Sequence, residues 1–95
     1  MSHAVVTLTD VKPARLLQRL IRGGVGNVDF EDLVKLVVAL GFQEVGGRGS
    51  HRMFARPDVR ELVNLQEDKG QAKPYQVRQV VAVVRRYDLH LEEAQ

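Results

Sequence analysis

Phe42-Gln43-Glu44-Val45-Gly46-Gly47-Arg48-Gly49-Ser50-His51-Arg52-Met53-Phe54-Ala55-Arg56 is the stretch that decides the fold. Phe42 to Val45 and Ser50 to Arg56 have strand-like composition, and the glycines between them permit positive φ and close backbone approach in a turn. Pro57-Asp58 makes a second turn. Glu61 to Gln66, containing Leu62-Val63-Asn64-Leu65, then reads as a third strand. Three strands joined by turns this short imply an antiparallel meander.

Working outward, Asn27 or Asp29 caps a helix whose stripe is Phe30, Leu33, Val34, Val37 and Leu40, widened by Leu36, Val38 and Ala39. Glu31 and Asp32 sit in its first turn, where the helix dipole favours carboxylates, and Gly41 occupies the left-handed stop. Further upstream, Asp10 and Pro13 open a helix over 11–22 with Leu16, Leu17, Leu20 and Ile21 on one side; Gly23-Gly24 end it. Downstream, Glu67 to Lys73 is polar and reads as a loop, and Pro74 starts a last helix. Val77, Val80, Val81 and Val84 repeat at helical spacing there, with Arg78, Gln79, Arg85 and Arg86 opposite. The run Val80-Val81-Ala82-Val83-Val84 would suit a buried strand equally well, but length, the leading proline and the polar face decide for helix. The order α-α-β-β-β-α predicts an α+β two-layer domain: a three-stranded antiparallel sheet with helices on one face, the other face or an edge free for a partner. The expected plan is one domain over 1–95, with a loose lead at 1–9, the additional helix at 11–22, a core at 29–88 and a frayed tail at 89–95.

Composition narrows the function. Ninety-five residues, 44% hydrophobic and 27% charged, suit one globular domain. A net charge of +2 means that any nucleic-acid signal must come from where the charge sits. The absence of cysteine removes disulfides, thiolate nucleophiles and cysteine-ligated zinc. No basic leader precedes a long apolar run, and nothing approaches the roughly 18 apolar residues of a membrane span, so the expectation is a cytoplasmic protein without a membrane partner.

His51 is the one histidine away from the termini, where His3 and His90 lie. Arg48, Arg52, Arg56 and Arg60 surround it, with Asp58 as the one nearby carboxylate in sequence. A group titrating near neutrality among fixed positive charges suits proton transfer beside a phosphate, whereas the simpler reading is a half-buried strand histidine in a solubilising hairpin. Strand period places His51, Met53 and Ala55 on one face and Ser50, Arg52, Phe54 and Arg56 on the other; neither is cleanly apolar. Ser50 points away from His51, which argues against a serine nucleophile and for a turn hydrogen bond. The three histidines are too dispersed for a metal site, and Gly47-Arg48-Gly49 is too short for a phosphate loop. Metal-free RNA cleavage remains. RNA supplies its own nucleophile, the 2′-hydroxyl; one histidine can move a proton while arginines and turn N–H groups meet the phosphorane charge. Lys69, Lys73, Arg78, Arg85 and Arg86 make the last helix basic enough to track a phosphate backbone, or simply to face water. Tyr75 could stack on a base, but helix packing is the favoured reading.

The run from Leu33 to Arg56, with Leu40-Gly41-Phe42, Val45 and Gly49-Ser50-His51-Arg52-Met53-Phe54, resembles the HicA-family toxins, mRNA interferases of type II toxin–antitoxin systems. The resemblance covers about residues 30–88. It implies a fold like the double-stranded-RNA-binding domain, His51 as the catalytic residue and Gly49 as the motif glycine. It also implies ribosome-independent, metal-independent mRNA cleavage, with no cofactor, and a HicB-type antitoxin that holds the toxin in check in a hetero-oligomer. Where many members carry Pro-Val-His on the third strand and Gly-Thr-Leu-Arg at the final helix, this chain has Asn64-Leu65-Gln66 and Lys73-Pro74-Tyr75-Gln76-Val77-Arg78. With the helix at 11–22, this looks like a longer subgroup. The expected site is therefore His51 for catalysis and Arg48, Gly49, Ser50, Arg52, Lys73 and Arg78 for RNA phosphate, without metal. A non-catalytic RNA-binding module of the same fold is the alternative, and a DNA-binding or protein-interaction domain presenting the last helix is a third.

Overall fold

The computed structural model describes residues 11–91; the expected lead at 1–9, Asp10, His3 and the last four residues lie outside them. Among the described residues three helices, α1 (Val11–Ile21), α2 (Phe30–Ala39) and α3 (Pro74–Arg86), accompany four strands: β1 (Gln43–Gly46), β2 (His51–Arg56), β3 (Val59–Asp68) and β4 (Gln71–Ala72). The sheet is antiparallel in the order β1-β2-β3-β4. This is the expected α+β arrangement with one small strand added. Among the described residues no helix is long and apolar enough to cross a membrane.

The start of α2 is settled by Asp29, whose carboxylate accepts the Asp32 N–H at 3.1 Å while Glu31 and Asp32 occupy the first turn. Its end is a left-handed stop at Gly41, φ +100°. The Gly41 N–H donates to Val38 O and the Phe42 N–H to Val37 O, and the two apolar side chains flanking this stop, Val37 and Phe42, are both buried. The chain thereby leaves α2 directly into β1.

Two differences from the sequence reading share one cause, a left-handed residue that is not glycine. The segment read as a loop at 67–73 is a hairpin: Lys69 (φ +54°) and Gly70 (φ +81°) form a two-residue turn between Asp68 and Gln71. Ala72 is buried, and its N–H reaches Val28 O at 2.9 Å, tying β4 to the segment before α2. At the other end, Asp88 takes φ +52°, so Leu89 N–H bonds Val84 O at 2.9 Å and the Leu89 side chain is only 7% exposed. The core therefore extends into the segment read as a frayed tail. Leu89→Ala is expected to cost about 2 kcal/mol, the lower end for a buried leucine, read as a lower midpoint in a denaturant melt with an unchanged slope.

The third strand is also longer than Glu61 to Gln66. Val59 pairs with Arg56 across the Pro57-Asp58 turn and is itself buried. The core lies between the sheet and α2 and α3; Phe30, Leu33, Leu36, Phe54, Val63, Leu65 and Val77 fill it, all nearly inaccessible. Helix α1 packs mainly on α2 and also touches α3. It contributes Leu16 and Leu20 to the core and leaves Ile21 exposed. Among the described residues the opposite sheet face carries no helix.

Candidate functional site

Phe54 shows which face of β2 is covered: it is 0% exposed opposite Val63. Arg52 and Arg56 lie on that same face, an arrangement strand alternation makes look unfavourable. Each has a carboxylate partner and a further contact from another element. The Arg52 guanidinium donates to both carboxylate oxygens of Glu44, at 2.9 and 2.8 Å, and pairs with Glu31 at 3.5 Å. It also sits 6.0 and 5.7 Å from the ring centroids of Phe30 and Phe54. Arg56 donates to Leu40 O at the end of α2 at 2.8 Å and pairs with Asp58, also at 2.8 Å. Both arginines thus rim the core, partly buried and with their charges matched.

His51 begins β2 on the face that no described helix covers and is exposed. Its N–H closes the Arg48-Gly49-Ser50-His51 turn by bonding Arg48 O at 3.0 Å, and Ser50 O accepts the Glu67 N–H at 3.2 Å. Across the sheet it faces Gln66 in register, and its Nδ1 stands 3.4 Å from the Asn64 Oδ1. Glu44, Gly46, Gly47, Arg48, Gly49, His51 and Arg52 line a shallow open cleft between the ends of β1 and β2. Gly47 is structurally the most demanding of its glycines. At φ +139°, a Cβ there would meet His51 O at 2.2 Å and Arg52 Cα at 2.9 Å, so the backbones of the two strands touch at this point.

Residues 30–89 match the family model for HicA toxin of bacterial toxin-antitoxin systems. The chain belongs to the HicA toxin family. No curated protein and no solved structure matches it. As a HicA-family member it is the toxin component of a toxin–antitoxin system. The match runs from the first residue of α2 to Leu89, so it holds all the residues that line the cleft and leaves α1 outside.

Within this HicA chain the expected site residues separate into two groups. Arg48, Gly49, His51 and Arg52 converge on the cleft, and Ser50 completes the turn. Lys73 and Arg78 do not line it; they lie at the start and on the exposed side of α3. Arg48 has no ion-pair partner among the described residues, whereas the charge of Arg52 is already met by Glu44 and Glu31. Tyr75 is largely exposed, at 58%. The sequence reading missed Gln76, which is 3% exposed and whose Oε1 accepts the Gln66 N–H at 2.6 Å. This bond joins the first turn of α3 to the β3 position opposite His51. Its signal was present in the sequence, because residues 76, 80 and 83 continue the buried side of α3.

Two carboxylates are held below their ordinary value of 4.5: Glu44 by the Arg52 guanidinium, and Glu61 chiefly by the Tyr87 hydroxyl, with Arg86 assisting. Their depressed values mean that the unfolded chain binds more protons in this range. The stability they supply is complete above the ordinary value and is lost as pH falls through the depressed ones. The melting temperature is therefore expected to drop with acidification below 4.5. Glu44→Gln, which cannot titrate, should make that decline shallower; an unchanged decline would show that the exposed pair contributes nothing.

Proposed function

We propose that this HicA-family toxin is a metal-independent endoribonuclease that cleaves mRNA with His51 as general acid/base. The observation that carries the reading is the placement of an exposed imidazole in an open cleft beside Arg48, a cation without an ion-pair partner among the described residues. The Gly49 and Ser50 N–H groups at the turn next to it donate to no backbone acceptor among the described residues, which suits them to a phosphate oxygen.

The chemistry follows from these groups. His51 takes the proton of a ribose 2′-hydroxyl, whose oxygen attacks the adjacent phosphorus. Arg48 and the turn N–H groups meet the charge on the non-bridging oxygens. The bond from phosphorus to the 5′-oxygen breaks, that oxygen takes a proton from water, and the upstream product ends in a 2′,3′-cyclic phosphate. Arg52 acts differently from the sequence expectation: bound to Glu44, it braces β1 against β2 instead of meeting phosphate. Lys73 and Arg78 are assigned to RNA backbone outside the cleft. A HicB-type antitoxin is the inhibitory partner in this reading, and the cytoplasm, where mRNA is found, the place of action.

Purified protein and its His51→Ala variant, incubated with a mixed mRNA in excess EDTA, test the proposal. Cleavage by the wild type alone, with cyclic-phosphate ends, is expected. Binding without cleavage by both would replace the enzyme with an RNA-binding module, and equal cleavage by both would remove His51 from the mechanism.

A further inference from the structure

We infer that Asn64 is a positioning residue for His51, its Oδ1 accepting the Nδ1 proton and so leaving Nε2 as the free proton acceptor. The inference rests on the nuclease reading of the same site and adds to it a second residue, on a different strand.

The geometry points to this from three sides. Met53 faces Asn64 in the β2–β3 register, and His51 is two residues before Met53, so His51 and Asn64 are diagonal neighbours on the uncovered sheet face. The Nδ1 to Oδ1 separation is 3.4 Å, at the long end for a hydrogen bond in a site without substrate. The two rims of β2 then have separate uses. Asn64 approaches from the β3 side, while the cleft opens towards β1, lined by Glu44, Gly46 and Gly47. A ring whose Nδ1 is turned to Asn64 therefore directs Nε2 away from β3.

An amide oxygen can only accept. Facing Nδ1, it selects the neutral imidazole that carries its proton there, since the other tautomer would set a lone pair against a lone pair. Imidazole free in water prefers the other tautomer, so Asn64 reverses an intrinsic preference. This is the logic by which a base is oriented by a third group, here a neutral one. Gln76 supports the same strand from behind, by holding the Gln66 N–H two residues further along β3.

Long-range 1H–15N correlation spectra of the labelled full-length chain, recorded above the imidazole titration, read the tautomer directly and without RNA. The wild type is expected to show His51 with its proton on Nδ1. Asn64→Leu should return it to Nε2, and Asn64→Asp, which keeps an accepting oxygen, should restore Nδ1. In cleavage assays Asn64→Leu should lower kcat by roughly tenfold with KM unchanged, a fraction of the about 10²–10⁴ that a positioned histidine contributes. Asn64 is half-buried on a strand, where leucine is accommodated; circular dichroism verifies folding, and Asn64→Ala serves if the leucine variant misfolds. A proton on Nε2 in the wild type, or a tautomer indifferent to these substitutions, would overturn the inference. If the wild type cuts no RNA, the nuclease reading falls and the catalytic role of Asn64 with it, while the spectra still decide whether the Nδ1 bond exists.

Discussion

RNA cleavage by His51→Ala is expected to fall by about 10²–10⁴, the range for removing a positioned general acid or base. The fold and the RNA affinity should persist. His51 is exposed, contributes nothing to the buried core, and carries no fixed charge that a phosphate must lose, so its truncation should change stability by less than about 0.5 kcal/mol. Arg48→Ala makes the complementary case. It should weaken RNA binding and reduce the salt dependence of that binding by about one phosphate contact. Measured together, single-turnover cleavage and binding as a function of salt separate proton transfer from charge attraction. Loss of both activities in His51→Ala, with the fold intact, would move His51 from catalysis to binding.

Gly47→Ala is expected to damage the site more than any other glycine substitution in the turn. The new methyl would sit 2.2 Å from His51 O, a contact with backbone rather than with a flexible side chain, so β2 must move. The φ of +139° adds about 1–3 kcal/mol of conformational strain for a residue with a Cβ. A displacement of His51 by about 1 Å would cost on the order of 10²-fold in rate. Gly49→Ala is the control. Its φ is +60°, but a Cβ there meets open space, so only the left-handed penalty of about 1–2 kcal/mol applies and His51 stays in place. Urea melts and amide shifts for residues 46–54 would distinguish the two. Equal shifts at His51 in both variants would show that the Gly47 contact relaxes without moving the strand.

The contrast between these glycines illustrates what can be read from residues in order. Gly49 belongs to the recognisable Gly-Ser-His run, and attention falls on it naturally. Gly47 matters more to the backbone because of a contact between two strands, and no local pattern encodes that. The hairpin at Lys69-Gly70 and the helix stop at Asp88 escaped for a related reason: lysine and aspartate adopt the left-handed conformation only when neighbouring structure holds them there. Tyr75 went the other way, an aromatic expected to pack that the start of α3 leaves exposed.

Legible from residues in order were the three helices and three main strands in succession, a cap at Asn27 or Asp29, the Gly41 stop, the Pro74 start, the glycine turn before His51, and the family. All of these depend on residues within a few positions of one another, where spacing and backbone preference act directly. Which face of β2 is buried, and what its arginines meet, became visible only once the elements were packed together. Glu31 and Glu44, 21 and eight residues away from Arg52, pair with its guanidinium, and Leu40 O accepts from that of Arg56. The same holds for Asn64 at His51 and for Gln76 behind Gln66. Each of these contacts crosses between elements, so its existence is set by strand register and helix packing, which emerge only when the whole core closes.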